Sequence, residues 1–299
     1  RDEGFMYADG GVIKVSLKNL NGTPVGGRGT VKFFRIDKRP AYAQAPRAWG
    51  NMPQSPSLDS LFSQVANGPE TLRRDVEFQA AKPAEINFKP GAPGVYRMTV
   101  SSADPWGGAS ECSVIILCVG KDGAAALNLP AITLARKATV YEGKTAELLI
   151  GASALNEVPL FVETWAGQYL LKREMLERGG LRVYRVKTGF DHKGGITVRW
   201  FAAKNFRFYG GQAGVAVPWR EKNLAVKFDY SKSNRPGEKV NWSVSAADWR
   251  GRPVTAQASV RVFDRSLEYY EAERPAWFAG LYPERRYAGS SALSVFTPY

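Results

Sequence analysis

With 299 residues, 44% of them hydrophobic and 23% charged, the chain has material for two or three domains that each bury a core. Its longest apolar run, around Val114–Val119, falls far short of a membrane span, so nothing in this sequence is expected to cross a bilayer. A formal charge of +13 and a pI near 9.7 raise nucleic acid or an anionic surface as partners. However, Lys and Arg are scattered, with Arg73-Arg74 and Arg285-Arg286 the densest pairs, so a solvated basic surface is favoured and no nucleic-acid partner is assigned.

The chain opens at Arg1 without a Met or a signal-like leader, as an excerpt or a mature product would. After a polar lead-in, Ile13, Val15 and Leu17 alternate with Lys14, Ser16 and Lys18, the period of a half-buried strand. A turn at Asn21-Gly22 leads to a strand at 31–36. Residues 38–69 are rich in Pro, Ala, Gln, Ser and Asn. Within them Leu58, Leu61, Phe62 and Val65 have helical spacing behind a cap at Ser57 or Asp59, which predicts a short helix in a long loop. Strands are expected at 74–78 and 84–88. Another follows Pro93-Gly94, with Tyr96, Met98 and Val100 on one face, and a last one runs over 112–119. Cys112 and Cys118 lie in that last strand about 20 Å apart, too far to pair. Their even spacing predicts that both are buried on one face as small hydrophobes.

A small-residue linker, Gly123-Ala-Ala-Ala, marks the next boundary. Strands are expected at 145–150, 158–163, 168–173, 181–186 and 196–201, the spacing of a sandwich. Residues 209–215 read as loose, with Gly210-Gly211 and Gly26-Gly27 taken as loop and turn glycines. Beyond Pro218, strands are predicted at 224–228 and 240–244. The turn Asp248–Gly251 then precedes Pro253-Val254 and an alternating strand through Ala258, Val260 and Val262. The phrase Gly251-x-Pro253-Val254 repeats Gly22-x-Pro24-Val25 more than 200 residues earlier, the mark of tandem domains rather than a solenoid. From Asp264 the alternation fades and eight aromatic residues crowd the end of the chain, where a short helix near Leu267 is followed by an irregular arm.

The sequence offers no enzyme. His192, the only histidine, sits in the turn sequence Asp191-His-Lys-Gly-Gly and is not expected to act as a catalytic base or metal ligand. Glu268, Glu271 and Glu273 have the spacing of an exposed helix turn, and no phosphate-binding, nucleophile-elbow or Cys-x-x-Cys motif occurs. No catalytic, metal or cofactor site is therefore assigned. Trp49, Trp106, Trp165, Trp219 and Trp277 would serve packing or, less commonly, a sugar-binding platform.

The chain resembles the bacterial members of the α2-macroglobulin family. Tyr141-Glu142-Gly143-Lys144 with Leu148-Leu149-Ile150 is similar to the start of the domain around that family's bait region. Three phrases in order resemble the next macroglobulin domain: Arg235-Pro236-Gly237-Glu238-Lys239-Val240, Asp248-x-x-Gly251-x-Pro253-Val254 and Val260-x-Val262-x-Asp264-x-Ser266-Leu267. Gly22-x-Pro24-Val25 and Pro93-Gly94-x-Tyr96-Arg97 are similar to an upstream domain carrying an insertion. Two features depart from the pattern. Arg265 stands where the family usually has Glu or Gln, and the Cys-Gly-Glu-Gln thioester motif does not occur, so covalent capture is not assigned to these residues.

The resemblance implies an all-β chain of tandem antiparallel β-sandwiches, macroglobulin or fibronectin-III-like. Its units would be 1–122 with an inserted loop at 38–70, 123–217, and 218–267 as an incomplete sandwich, followed by an arm at 268–299. It implies an interior, non-enzymatic part of a larger periplasmic or extracellular protein that traps proteases, with any membrane anchor elsewhere. The arm matches the position of the bait segment, so Arg274, Tyr282, Arg285, Arg286 and Tyr287 are the candidate cleavage residues. The competing reading of the same arm is that it docks on a neighbouring domain. The rival function is an adhesion or envelope-assembly module that binds a protein or glycan, which an exposed cluster of Trp49 with Tyr42 would favour.

Overall fold

A computed structural model describes residues 4–37, 57–103, 108–121, 129–230, 237–258, 269 and 282–287. Its elements are strands, one short helix and a few single-turn 3-10 segments, so the chain is all-β with predominantly antiparallel sheets.

The first unit contains β1 (Met6–Tyr7), β2 (Gly11–Val15), β3 (Leu17–Lys18), β4 (Pro24–Val25) and β5 (Gly27–Ile36). It continues with α1 (Leu58–Phe62), β6 (Glu70–Phe78), β7 (Ala84–Phe88), β8 (Gly94–Ala103) and β9 (Ala109–Val119). Five of these strands pair in the order β1-β9-β8-β5-β6, all antiparallel except β1 with β9. The pairs β2–β7 and β3–β4 cover one face of that sheet. The core between them holds Phe33, Phe78, Ile86, Phe88, Tyr96 and Cys118, with Phe33 and Phe88 stacked at 4.0 Å. The predicted turn at Asn21-Gly22 is built by Asn19, whose Oδ1 accepts from the N–H groups of Asn21 and Thr23.

The predicted helix forms. Ser57 Oγ accepts from the Ser60 N–H as its N-cap, and Asp59 accepts from the Ile115 N–H of β9 at 2.8 Å, which fixes the helix on the sheet. The cysteine expectation holds only for Cys118, whose thiol burial pushes up to about 12. Cys112 is exposed although it shares the parity of Cys118. Its neighbours at the start of β9 are exposed as well, whereas residues 115–119 of the same strand are buried.

The second unit contains β10 (Ile132–Ala135), β11 (Thr145–Gly151), β12 (Leu160–Ala166), β13 (Tyr169–Leu176), β14 (Arg182–Lys187), β15 (Ile196–Lys204) and β16 (Arg207–Val215). Its sheets, β10-β11-β14 and β13-β12-β15-β16, enclose Leu148, Ile150, Val162, Val198 and Trp200. Trp200 satisfies its one polar group by donating from Nε1 to Thr133 Oγ1 at 2.8 Å. The stretch expected to be loose at 209–215 is instead a strand paired residue by residue with β15. Gly210 and Gly211 are therefore strand residues, opposite Phe201 and Trp200. Pairing with a regular neighbour overrode the low strand propensity of glycine.

Between these two cores lies a third. The face of the five-stranded sheet not covered by β2 and β7 contributes Phe5, Ile36, Val95, Ile115, Leu117 and Val119. Leu58, Leu61 and Phe62 of α1 and Leu129, Ile132, Leu149, Leu181 and Val183 of the second unit complete it. Strands β9 and β11 are thus buried on both faces, the condition that an unbroken apolar run records. Beside this layer Glu147 is a polar clasp. It accepts from Tyr7 Oη at 2.6 Å, Arg136 Nη1 at 2.7 Å and Arg185 Nε at 3.2 Å. The Arg136 guanidinium also lies 4.8 Å over the Tyr7 ring.

Among the described residues the last regular elements are β17 (Ala225–Asp229) and β18 (Ser243–Ala247), an antiparallel pair. The second strand begins three residues later than the predicted 240–244. The turn at Asp248–Gly251 is present, with Asp248 Oδ1 accepting from the N–H groups of Arg250 and Arg252. The expected strand through 258–262 and the helix near Leu267 fall largely outside the described residues, as do Trp49 and Tyr42.

Two outcomes follow. Leu149→Ala removes a fully buried side chain from the middle layer and should cost about 2–5 kcal/mol, with both sandwiches shifting to lower urea in denaturation curves. Partial burial pushes the Glu147 carboxyl up, but the hydrogen bonds from Tyr7, Arg136 and Arg185 outweigh it and leave it lowered from 4.5. A lowered carboxyl contributes stability above its unfolded value and loses it as pH falls through the folded one. The wild-type melting temperature should therefore fall more steeply below about pH 4.5 than that of Glu147→Gln, read by thermal scans across pH 3–7.

Candidate functional site

The site is built where the chain leaves the second sandwich. After β16 the backbone passes Val217, whose carbonyl accepts from the Gly194 N–H, and enters a single 3-10 turn, Arg220–Lys222, behind Trp219. Three consecutive side chains then diverge to three partners. Glu221 reaches back to Lys193 at 2.5 Å, Arg220 stacks on aromatic rings, and Trp219 meets residues 282–287.

Lys193 is buried, and its ammonium is held by Glu221 and by Glu142 at 3.0 Å, above the Phe190 ring at 4.8 Å. The hydrogen bond that Lys193 donates to Glu221 is the main reason its pKa is raised, and the same bond lowers the Glu221 carboxyl. Glu142 belongs to the phrase Tyr141-Glu-Gly-Lys, and its neighbour Tyr141 lies under the Arg220 guanidinium at 5.1 Å. The same guanidinium covers Trp249, of the turn 248–251, at 4.4 Å. One arginine therefore joins the two sequence phrases, packing the second sandwich to the turn that follows β18.

Residues 282–287 form a strap docked on this end of the sandwich. The Arg285 N–H donates to the Gly194 carbonyl at 2.9 Å, and its carbonyl accepts from the Gly167 N–H at 3.0 Å. The floor under the strap is glycine. A Cβ on Gly194 would lie 2.4 Å from the Pro283 oxygen, one on Gly195 2.3 Å from Arg286 Cγ, and one on Gly214 3.2 Å from Arg286 Cβ. Gly194 and Gly195 also have φ of +90° and +121°, which side-chain-bearing residues rarely adopt. Trp219 supplies the wall, with Tyr282 at 5.9 Å ring to ring, Arg285 5.9 Å above it, and its Nε1 directed at the Pro283 carbonyl at 3.5 Å.

Of the candidate cleavage residues, Tyr282, Arg285, Arg286 and Tyr287 thus lie together on one docked strap, and Arg274 lies outside the described residues. Tyr282 and Tyr287 are exposed, and Arg286 pairs with Glu284. Arg285 is half-buried with both its main-chain groups engaged. Pro283 follows Tyr282 and fixes φ there. In the described arm, residues 282–287 are seated against the second sandwich through the main chain of Arg285. His192 accepts from the Gly189 N–H through Nδ1 and helps shape the loop that ends in Gly194. Trp165 is buried and donates to Glu163 at 2.9 Å, so among the five tryptophans singled out from the sequence it is a packing residue, Trp219 is the strap's wall, and Trp49, Trp106 and Trp277 lie outside the described residues. Sequence reasoning missed the triplet 219–221 and the glycine floor. The only local signal was the Gly194-Gly195 pair, which reads equally as a turn.

No family model matches the chain, and no curated protein matches it. Among solved structures it is similar to the native conformation of Escherichia coli α2-macroglobulin, at 14% identity and a TM-score of 0.30, over 83% of this chain and 16% of that one. It is also similar to Escherichia coli α2-macroglobulin activated by porcine elastase, at 12% identity and a TM-score of 0.24, over 81% of this chain and 24% of that one. The chain therefore spans a quarter or less of either structure's length.

Trp219→Ala should release the strap without disturbing the sandwich. Amide exchange at Arg285 and Gly167 is expected to accelerate at least tenfold, while β12, β15 and β16 keep their protection.

Proposed function

We propose that this chain is a non-enzymatic scaffold segment of a larger periplasmic or extracellular protein that traps or inhibits proteases, and that its arm at 268–299 is the part offered for cleavage. The observation that carries the proposal is the strap. It sets basic and aromatic side chains, Arg286, Tyr287 and Tyr282, on the surface outside any strand or helix, where a protease can reach them. The sequence phrases at Tyr141–Ile150 and Arg235–Val254 support the same reading, and the structure joins them through Arg220.

Docking also ranks the cleavage positions. The Arg285 carbonyl is held by the Gly167 N–H, so the bond after Arg285 is protected relative to the bond after Arg286. Tyr282 is followed by proline, which disfavours cleavage there. A second reading, an adhesion or assembly module that binds a protein or glycan, draws on the exposed aromatic face of β17–β18. There Phe228, Tyr230 and Trp242 cluster within 5.8 Å, ring to ring.

Limited digestion with trypsin, chymotrypsin and elastase, followed by intact mass, separates the two. The trap reading expects all three enzymes to cut first between 268 and 299, leaving 1–265 whole, with trypsin cutting after Arg286 at least tenfold faster than after Arg285. First cuts inside 38–56 with an uncut arm would remove the support for a protease-directed role.

A further inference from the structure

We infer that the second sandwich carries a peptide-binding groove for an aromatic-Pro-x-Arg segment, floored by Gly167, Gly194, Gly195 and Gly214 and walled by Trp219. Residues 282–287 are its resident, displaceable occupant. The inference holds whether or not the arm is a protease substrate.

The groove belongs to the sandwich and not to the strap. Gly167 closes the β12–β13 turn, Gly194 and Gly195 precede β15, and Gly214 lies in β16. All are placed by the core around Val162, Val198 and Trp200, to which residues 282–287 contribute nothing. Trp219 and Pro283 are 64 residues apart, so the occupant arrives from a distant part of the chain.

Recognition combines main chain and side chains. Gly194 and Gly167 hold the N–H and the carbonyl of Arg285, and neighbouring surfaces read side chains. The aromatic ring of Tyr282 meets Trp219, the proline presents its carbonyl to Trp219 Nε1, and the guanidinium of Arg285 lies over the same ring. The Lys193 ammonium, 5.9 Å from the Trp219 ring, is bound by two carboxylates, Glu221 and Glu142, so its charge is compensated where the Arg285 guanidinium meets the same ring.

The occupant is displaceable because its hold is shallow. Two main-chain hydrogen bonds and a surface cation–π contact are individually weak, and the flanking Tyr282 and Tyr287 remain exposed. Such a segment stays seated because its tether keeps it at an effective concentration on the order of mM. A free peptide of the same sequence competes only after that local advantage is removed.

The test uses the full chain and a fluorescein-labelled Tyr-Pro-Glu-Arg-Arg-Tyr peptide, read by anisotropy. Arg285→Pro removes the N–H that bonds Gly194 and unseats the resident strap. Gly214→Val fills the floor at a position whose φ is not left-handed, within a strand where valine is favoured. Arg285→Pro should bind the peptide at least tenfold more tightly than the unsubstituted chain. Adding either Gly214→Val or Trp219→Ala should weaken that binding at least tenfold, with an unchanged melting temperature for Gly214→Val. Failure of Arg285→Pro to bind the peptide at millimolar concentration overturns the inference. So does equal binding by the Arg285→Pro chain with and without Gly214→Val, because the glycine floor would then not be the site.

Discussion

The structure depends on one requirement: strands β9 and β11 must be covered on both faces. A sandwich strand normally shows one face to its core and the other to water. Here Ile116 and Cys118 face one core while Ile115, Leu117 and Val119 face another. Leu148 and Ile150 likewise face one core while Leu149 faces the other. Exposing those second faces would leave a contiguous apolar patch of a kind monomeric soluble proteins rarely carry. Packing them on each other, with α1 filling the gap, joins two sandwiches into one stack of four sheets. Burial of this kind does not dictate orientation by itself. The Glu147 clasp adds direction, since Tyr7 comes from one sandwich and both arginines from the other.

A rigid stack gives the far end of the second sandwich a fixed geometry on which later parts of the chain can be placed. Trp219, Arg220 and Glu221 do that placing. They are adjacent in sequence but commit to a returning strap, a distant turn and a buried lysine. Because the same short turn organises all three, loss of one contact is transmitted to the others through a backbone segment of a few residues. The exposed aromatic face of β17–β18 follows this turn in the chain.

The strap changes what the basic, aromatic-rich arm means. A segment that looks irregular in sequence is, over 282–287, held by main-chain bonds above a floor of glycines, where an added side chain would meet the strap. Protection and exposure coexist in it, with Arg285 engaged and Tyr287 open. Engagement of the main chain therefore differs from bond to bond along the strap and does not follow from its composition.

What the sequence determined by itself was the local grammar. Alternation at Ile13–Leu17 and Tyr96–Val100, the Ser57 cap, and the Asn21-Gly22 and Asp248–Gly251 turns all rest on contacts within a few residues, and each is found in place. The unbroken run Val114–Val119 also carried the two-sided burial of β9, although the even spacing of its cysteines suggested a single face. Only the tertiary structure decided the rest. Residues 209–215 are a strand because β15 offers an unpaired edge, which outweighs three glycines. Cys112 is exposed because the buried stretch of β9 begins only at Ile115. The glycine floor and the Trp219–Glu221 triplet stayed invisible for the same reason. Their meaning lies in residues distant in sequence, as with Trp219 and Pro283, 64 positions apart, and the absence of a Cβ is informative only once something is seen to lie where it would have been.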